Sequence, residues 1–253
     1  MKYKVREEGG FSYIEEGEGQ PLVLLHGLFG ALSNWRSVIE RFKDKFNVLI
    51  PMLPIYKMPV KSAGIPKLAE FTENFIKFKR LKNINLVGNS LGGHVGLVYT
   101  LANPENVKTL TLTGSSGLYE NSMGSSFPRR SNYDFVSEKV KYTFFDPTIA
   151  TKELIDDVFD VTKSIPKCLR MIAIAKSAQR HNLAKELFKI TIPTLLVWGL
   201  NDTITPPFVG HEFNSLIKSS ELRFIDQCGH APMMEHPEKF NTILNDYLDK
   251  YDS

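Results

Sequence analysis

Apolar positions recur along this chain in two ways. Short runs rich in apolar and β-branched residues occur at 21–25, 46–50, 84–87, 107–113, 194–199 and 221–225. They have strand length and predict strands covered on both faces. Between them, apolar residues spaced by three or four mark helix faces. One carries Trp35, Val38, Ile39 and Phe42, a second Leu68, Phe71, Phe75 and Phe78, and a third Phe240, Ile243, Leu244, Tyr247 and Leu248. Ser33 or Asn34 is placed to cap the first of these helices. Residues 1–16 alternate weakly about Glu7-Glu8-Gly9-Gly10 and predict an antiparallel hairpin. Residues 51–66 are rich in proline, show no periodicity and read as loop.

Strand and helix alternate, which predicts an α/β protein: a doubly wound, mostly parallel eight-stranded sheet with helices on both faces. The pattern changes after Gly117. Residues 121–132 read as a loop or hinge. Residues 133–188 read as helices, at 133–144, 152–164 and 167–181, with no strand among them. Helix-only text inside a strand–helix series predicts an excursion from the sheet. The expected organisation is a core of residues 1–116 and 186–253, with a helical cap over 117–185.

Composition changes this picture little. The chain has 253 residues, 42% hydrophobic and 23% charged, so a folded globular protein is expected. The formal charge is only +3. Lysines and arginines read as scattered and mostly near acids, so no nucleic-acid partner is expected. Two distant cysteines, Cys168 and Cys228, show neither a disulfide framework nor metal spacing, which fits a reducing cytoplasm. No stretch has the ~18 apolar residues of a membrane helix, and the first residues lack a signal-peptide core. A small-molecule substrate, no membrane partner and a monomer or homodimer are the expectation.

The candidate chemistry sits where the strand 84–87 runs into Gly88-Asn89-Ser90-Leu91-Gly92-Gly93 and then a helical pattern. Gly-x-Ser-x-Gly between a strand and a helix is a nucleophile elbow, with the serine hydroxyl pushed out of a strained turn. A serine hydroxyl needs a base, and neutral histidine suits that role near pH 7. Six histidines compete. His181 and His211 read as exposed helix residues, and His94 points away from the elbow. His236 starts the last helix, while His26 shapes the loop before Gly27. His230, just past the last strand, is the best base. Asp202, in the loop past the preceding strand, is the best partner for it. The rival acid position after 107–113 holds Gly114-Ser115-Ser116, and Asp226 is too near His230 in sequence. The backbone N–H groups of Leu28 and Leu91 are candidates to hold an oxyanion. Phe29, Met58 and Met233 are candidates for an apolar pocket.

Taken together these residues resemble the α/β-hydrolase superfamily, in its branch with a helical cap. The resemblance runs through His26-Gly27, Gly88-Asn89-Ser90-Leu91-Gly92-Gly93, Trp198-Gly199-Leu200-Asn201-Asp202 and Gly229-His230-Ala231-Pro232. It implies hydrolysis through an acyl-enzyme on Ser90, with neither metal nor cofactor. Gly-Asn-Ser-x-Gly-Gly is similar to carbon–carbon hydrolases of aromatic ring-fission products. Those usually carry a Gly-x-Gly-Pro-Gly-type loop and a tryptophan after the histidine, where this chain has Gly27-Leu28-Phe29-Gly30 and Ala231. The reading therefore favours a carboxylic ester hydrolase. A carbon–carbon hydrolase using a cap arginine, Arg170 or Arg180, is the alternative, and a non-catalytic binding shell is a third. The family's Asp-x-Pro-Gly-x-Gly-x-Ser is also replaced here, by a bulkier loop at 52–59.

Overall fold

The computed structural model describes residues 3–30, 35–119 and 129–251. Ser33, Asn34 and most of the expected loop at 121–132 lie outside the described residues. The eight strands are β1 (Arg6–Glu8), β2 (Phe11–Glu16), β3 (Gln20–Leu25), β4 (Phe46–Pro51), β5 (Ile84–Asn89), β6 (Val107–Thr113), β7 (Thr194–Gly199) and β8 (Ser220–Ile225). They form one sheet in the order β1-β2-β4-β3-β5-β6-β7-β8. β2 is antiparallel to β1 and β4, and every other pair is parallel. The expected hairpin and parallel sheet are both present.

The two-residue period of a strand divides the sheet between two cores. Val23, Leu25, Leu86, Leu112 and Leu196 face one side, where α2 (Ile65–Phe78), α3 (Leu91–Ala102) and α7 (Pro207–Leu216) supply Phe75, Val95 and Phe213. Leu22, Leu24, Val87, Leu195 and Val197 face the other. There α1 (Arg36–Phe42), α8 (Pro232–Glu235) and α9 (Pro237–Asp249) supply Phe42, Met233 and Phe240. Phe75, Phe213 and Phe240 are fully buried, each such burial contributing about 1.5–3 kcal/mol.

The chain leaves β3 towards β4 and then returns to place β5 on the other flank of β3. This reversal opens a crevice beyond the carboxyl ends of β3 and β5, where sites form in sheets of this kind. The loops carrying Gly27 and Ser90 both begin there.

Between β6 and β7 the described chain is helical: α4 (Tyr133–Lys141), α5 (Lys152–Thr162) and α6 (Ile165–Arg180). Asn132 caps α4 by accepting the Phe135 N–H at 2.9 Å, and Thr151 caps α5 through the Leu154 N–H at 3.3 Å. Val136, Val140, Ile155 and Val158 make a small separate core. α4 stops three residues short of the expected end because the chain turns there to reach the main body. The Thr143 carbonyl accepts the His230 N–H at 3.0 Å. The segments entering and leaving this region run side by side. Leu183 N–H donates to Gly117 O and the Asn182 amide to Leu118 O, both at 2.8 Å.

Candidate active site

Ser90 stands between β5 and α3 with φ 54° and ψ −119°. A non-glycine residue held there costs about 1–3 kcal/mol and persists only where its surroundings over-determine it. They do. Ser90 N–H donates to Thr113 O at 3.1 Å, and Ser90 O accepts the N–H groups of His94 and Ser116, each at 3.2 Å. The flanking glycines are steric necessities. A Cβ on Gly88 would lie 2.6 Å from Gly92 O, and one on Gly92 would lie 2.2 Å from Leu25 O.

The loop after β3 is built to fix one peptide. Gly27 O accepts from His26 Nδ1 at 2.8 Å and from Gly30 N–H at 2.9 Å. A trans peptide points its C=O and its N–H in opposite directions, so Leu28 N–H faces away from the His26 ring. Gly27 abuts the elbow, a Cβ there lying 3.4 Å from Ser90 Cβ. Leu91 N–H opens α3 and has no intrahelical partner. Neither amide donates to another of the described residues.

His26 is held neutral by this arrangement. Its Nδ1 carries the proton to Gly27 O, its Nε2 accepts Leu53 N–H at 3.1 Å, and burial lowers its pKa despite the Gly27 bond. Leu53 belongs to the replaced loop at 52–59. That loop also supplies Tyr56, whose hydroxyl donates to Leu28 O at 2.9 Å and whose phenol pKa burial pushes up. The loop is thus a brace for the residues beside Ser90. Tyr56→Phe removes one bond worth about 1 kcal/mol. It should lower kcat about fivefold with little change in KM, as read by steady-state kinetics.

His230 and Asp202 are both buried, with Nδ1 2.9 Å from Oδ2. Asp202 Oδ1 accepts the N–H groups of Ile204 at 2.8 Å and Thr205 at 2.9 Å, and Thr205 Oγ1 donates to Oδ2 at 2.9 Å. Burial alone would raise this carboxyl's pKa. The His230 charge, the His230 hydrogen bond and the Thr205 and Ile204 amides together outweigh it and hold the group below its ordinary range. Asp202 therefore stabilises the fold above the ordinary carboxyl pKa, about 4, and that contribution is lost as pH falls through the depressed folded value. The excess of wild-type over Asp202→Asn stability should shrink between pH 7 and pH 3, as read from urea midpoints.

With Nδ1 committed to Asp202, Nε2 is the ring nitrogen left for other work. Neither Nε2 nor Ser90 Oγ is hydrogen-bonded among the described residues. The two loops are nevertheless tied together, because the Asn89 side chain donates to both Thr113 O and His230 O, at 3.1 and 3.2 Å.

Comparisons with known proteins bear on the family and the fold. The family model described as the alpha/beta hydrolase fold matches residues 20–144 and 119–237. The chain belongs to the alpha/beta hydrolase family. A solved alpha/beta hydrolase enzyme from the metagenome of lagoon sediments at Mar Chica, Morocco, is 41% identical, with TM-score 0.82, over 99% of this chain and 100% of that one. The 2-hydroxy-6-oxo-6-(2'-aminophenyl)hexa-2,4-dienoic acid hydrolase of Metapseudomonas resinovorans is 29% identical over 94% of this chain and 87% of its own length. The monoacylglycerol lipase abhd6-A of Xenopus laevis is 21% identical over 100% of this chain and 84% of its own.

Several features of this hydrolase were not foreseen from its sequence. Glu235 reaches back to the loop around His230. Its carboxylate accepts the N–H groups of Gly229 at 2.9 Å, Ala231 at 3.4 Å and Phe145 at 2.7 Å, and burial raises its pKa against those bonds. Gly114 has φ +49°, and a Cβ there would sit 2.9 Å from His230 Nδ1. Gly114→Ala should displace the imidazole and lower kcat about 10²-fold, with far-UV circular dichroism unchanged. His181 is not a free surface histidine. It ends α6 half-buried, with Nδ1 3.3 Å from His94 Nε2, and burial followed by the His181 charge pushes His94 down to about 3. The three apolar candidates are dispersed. Met58 lies in the core on the α2 and α3 side and Met233 in the opposite core, while Phe29 packs against both the former and the small core of α4 and α5.

Proposed function

We propose that this hydrolase cleaves a small carboxylic ester through an acyl-enzyme. The observation that carries the reading is the buried His230–Asp202 pair, tied through Asn89 to a strained Ser90 elbow that two unpartnered amides flank. In the first step Ser90 Oγ attacks the ester carbonyl carbon while His230 Nε2 takes the hydroxyl proton. Asp202 holds the imidazole with its Nδ1–H fixed and stabilises the imidazolium. The carbonyl oxygen, now negative, is held by Leu28 and Leu91 N–H. Collapse expels the alcohol, which takes its proton from His230. Water then repeats the attack, and the acid leaves with Ser90 restored. Seating of the substrate brings Ser90 Oγ into hydrogen-bond reach of Nε2, a contact that commonly tightens only in the complex. The core at 1–116 and 186–253 holds this machinery, and the cap at 117–185 covers it, with Phe29 at their junction.

The dienoic acid hydrolase among the relatives favours a second reading, carbon–carbon bond hydrolysis of a vinylogous keto acid. The cap arginines support it poorly. Arg170 spends its guanidinium on Met58 O at 2.6 Å and Pro166 O at 2.8 Å, and Arg180 is exposed. Purified protein assayed against short p-nitrophenyl esters and a coloured dienoate separates the readings. Ester turnover exceeding dienoate bleaching is expected, and the reverse order would overturn the ester assignment.

A further inference from the structure

The cap carries a charge segregation that the scattered-cation reading of the sequence did not anticipate. Residues 161–185 contain Lys163, Lys167, Arg170, Lys176, Arg180 and Lys185 and no acid. Residues 51–69 contain Lys57, Lys61 and Lys67, again with no acid, in a chain with 28 acids among 253 residues. The fold brings these two segments together. Arg170 donates to Met58 O at 2.6 Å, and Ile65 N–H donates to Ser177 Oγ at 3.1 Å. Lys163 and Lys67 pair with Asp160 and Glu70. Lys57, Lys61, Lys176, Arg180 and Lys185 have no carboxylate partner among the described residues.

Apolar side chains stand in water on the same surface. Ile165, Leu169, Ile172, Lys176 and Arg180 follow one another at spacings of three or four, a single stripe along α6. Ile165 is 50% and Leu169 43% exposed, Ile172 is half-buried, and Lys176 and Arg180 are exposed. Val60, in the adjoining turn Val60–Ser62, is 40% exposed. The exposed cations are solvated by water, while the bare aliphatics beside them are uncovered apolar surface. Together they suit a lipid–water boundary, where aliphatic groups enter the acyl region and ammonium groups meet lipid phosphates. A nucleic acid would use the cations but gain nothing from Ile165 or Leu169, since its bases stack on aromatic faces.

We infer that the α6 stripe and the turn at 57–61 dock this protein peripherally on an anionic phospholipid surface. No helix among the described residues is long and apolar enough to cross a membrane, so the contact is one of lying on the bilayer. The inference does not depend on the ester reading, because its test measures binding rather than turnover.

The full chain is sedimented at low salt with vesicles of phosphatidylcholine alone, and with vesicles containing about one-third phosphatidylglycerol. Binding is expected to the mixed vesicles and not to the neutral ones. The double variant Lys176→Glu/Arg180→Glu should bind the mixed vesicles at least tenfold more weakly. Leu169→Ser, which leaves the charge unaltered, should weaken binding several-fold. Near-UV circular dichroism matching the parent confirms that each variant is folded. Failure to sediment with mixed vesicles would overturn the inference. So would parental affinity in Leu169→Ser, or tighter binding to a single-stranded oligonucleotide than to the vesicles.

Discussion

Ser90→Ala should lower kcat on an ester by about 10⁵- to 10⁶-fold, the scale on which removing a nucleophile disables a hydroxyl–imidazole–carboxylate set. The loss should fall on kcat, because the alanine retains the backbone amides proposed to hold the oxyanion. Leu91 N–H still opens α3, and the Gly27–Leu28 peptide is still fixed by His26 and Gly30. The fold should survive. Ser90 is held by main-chain bonds to Thr113, His94 and Ser116, which do not need the hydroxyl. Alanine inherits the same positive φ and gains no relief of strain. Steady-state kinetics together with thermal melting test both halves of this expectation.

Asp202→Asn should cost about 10⁴-fold in kcat. The substitution is nearly isosteric, and the Ile204 and Thr205 amides can still donate to Oδ1. What changes is the atom facing His230 Nδ1. A carboxylate oxygen accepts the Nδ1 proton, whereas an amide nitrogen placed there donates. The imidazole then carries its proton on Nε2, where it cannot take one from Ser90. The turn is otherwise well held, with Trp198 Nε1–H donating to Thr205 O at 2.8 Å, so protein yield and far-UV signal should match the parent. A loss of only a few-fold would mean that Asp202 merely braces its own turn.

The two effects rest on parts of the molecule with different legibility in sequence. The strands of the sheet were readable because each is a short run whose two-residue period serves two cores. The elbow was readable because Gly88 and Gly92 are dictated by contacts of its own turn and of β3. Strand-end positions then singled out His230 and Asp202. The supports of the site were not readable, for their partners lie far away in sequence. Leu53 and Tyr56 act on His26 and Leu28 from a loop without periodicity. Glu235 looks like any acid in a short helix until the fold turns its carboxylate onto Gly229, Ala231 and Phe145. His181 ends a helix that by pattern alone puts it in solvent, and only the packing of α6 against α3 brings it to His94. The cations of α6 have no acids within reach of their own segment, but that becomes a surface only when the turn at 57–61 joins them.

In the proposed mechanism an imidazole oriented by Asp202 makes Ser90 the acyl acceptor. Peptide-level mass spectrometry of protein quenched in acid seconds after mixing with a slow ester tests it most directly. The expected result is one acyl group, on the peptide containing Ser90, present in the wild type and almost absent in His230→Ala. Acyl transfer to another residue, or steady turnover with Ser90 never modified, would contradict it.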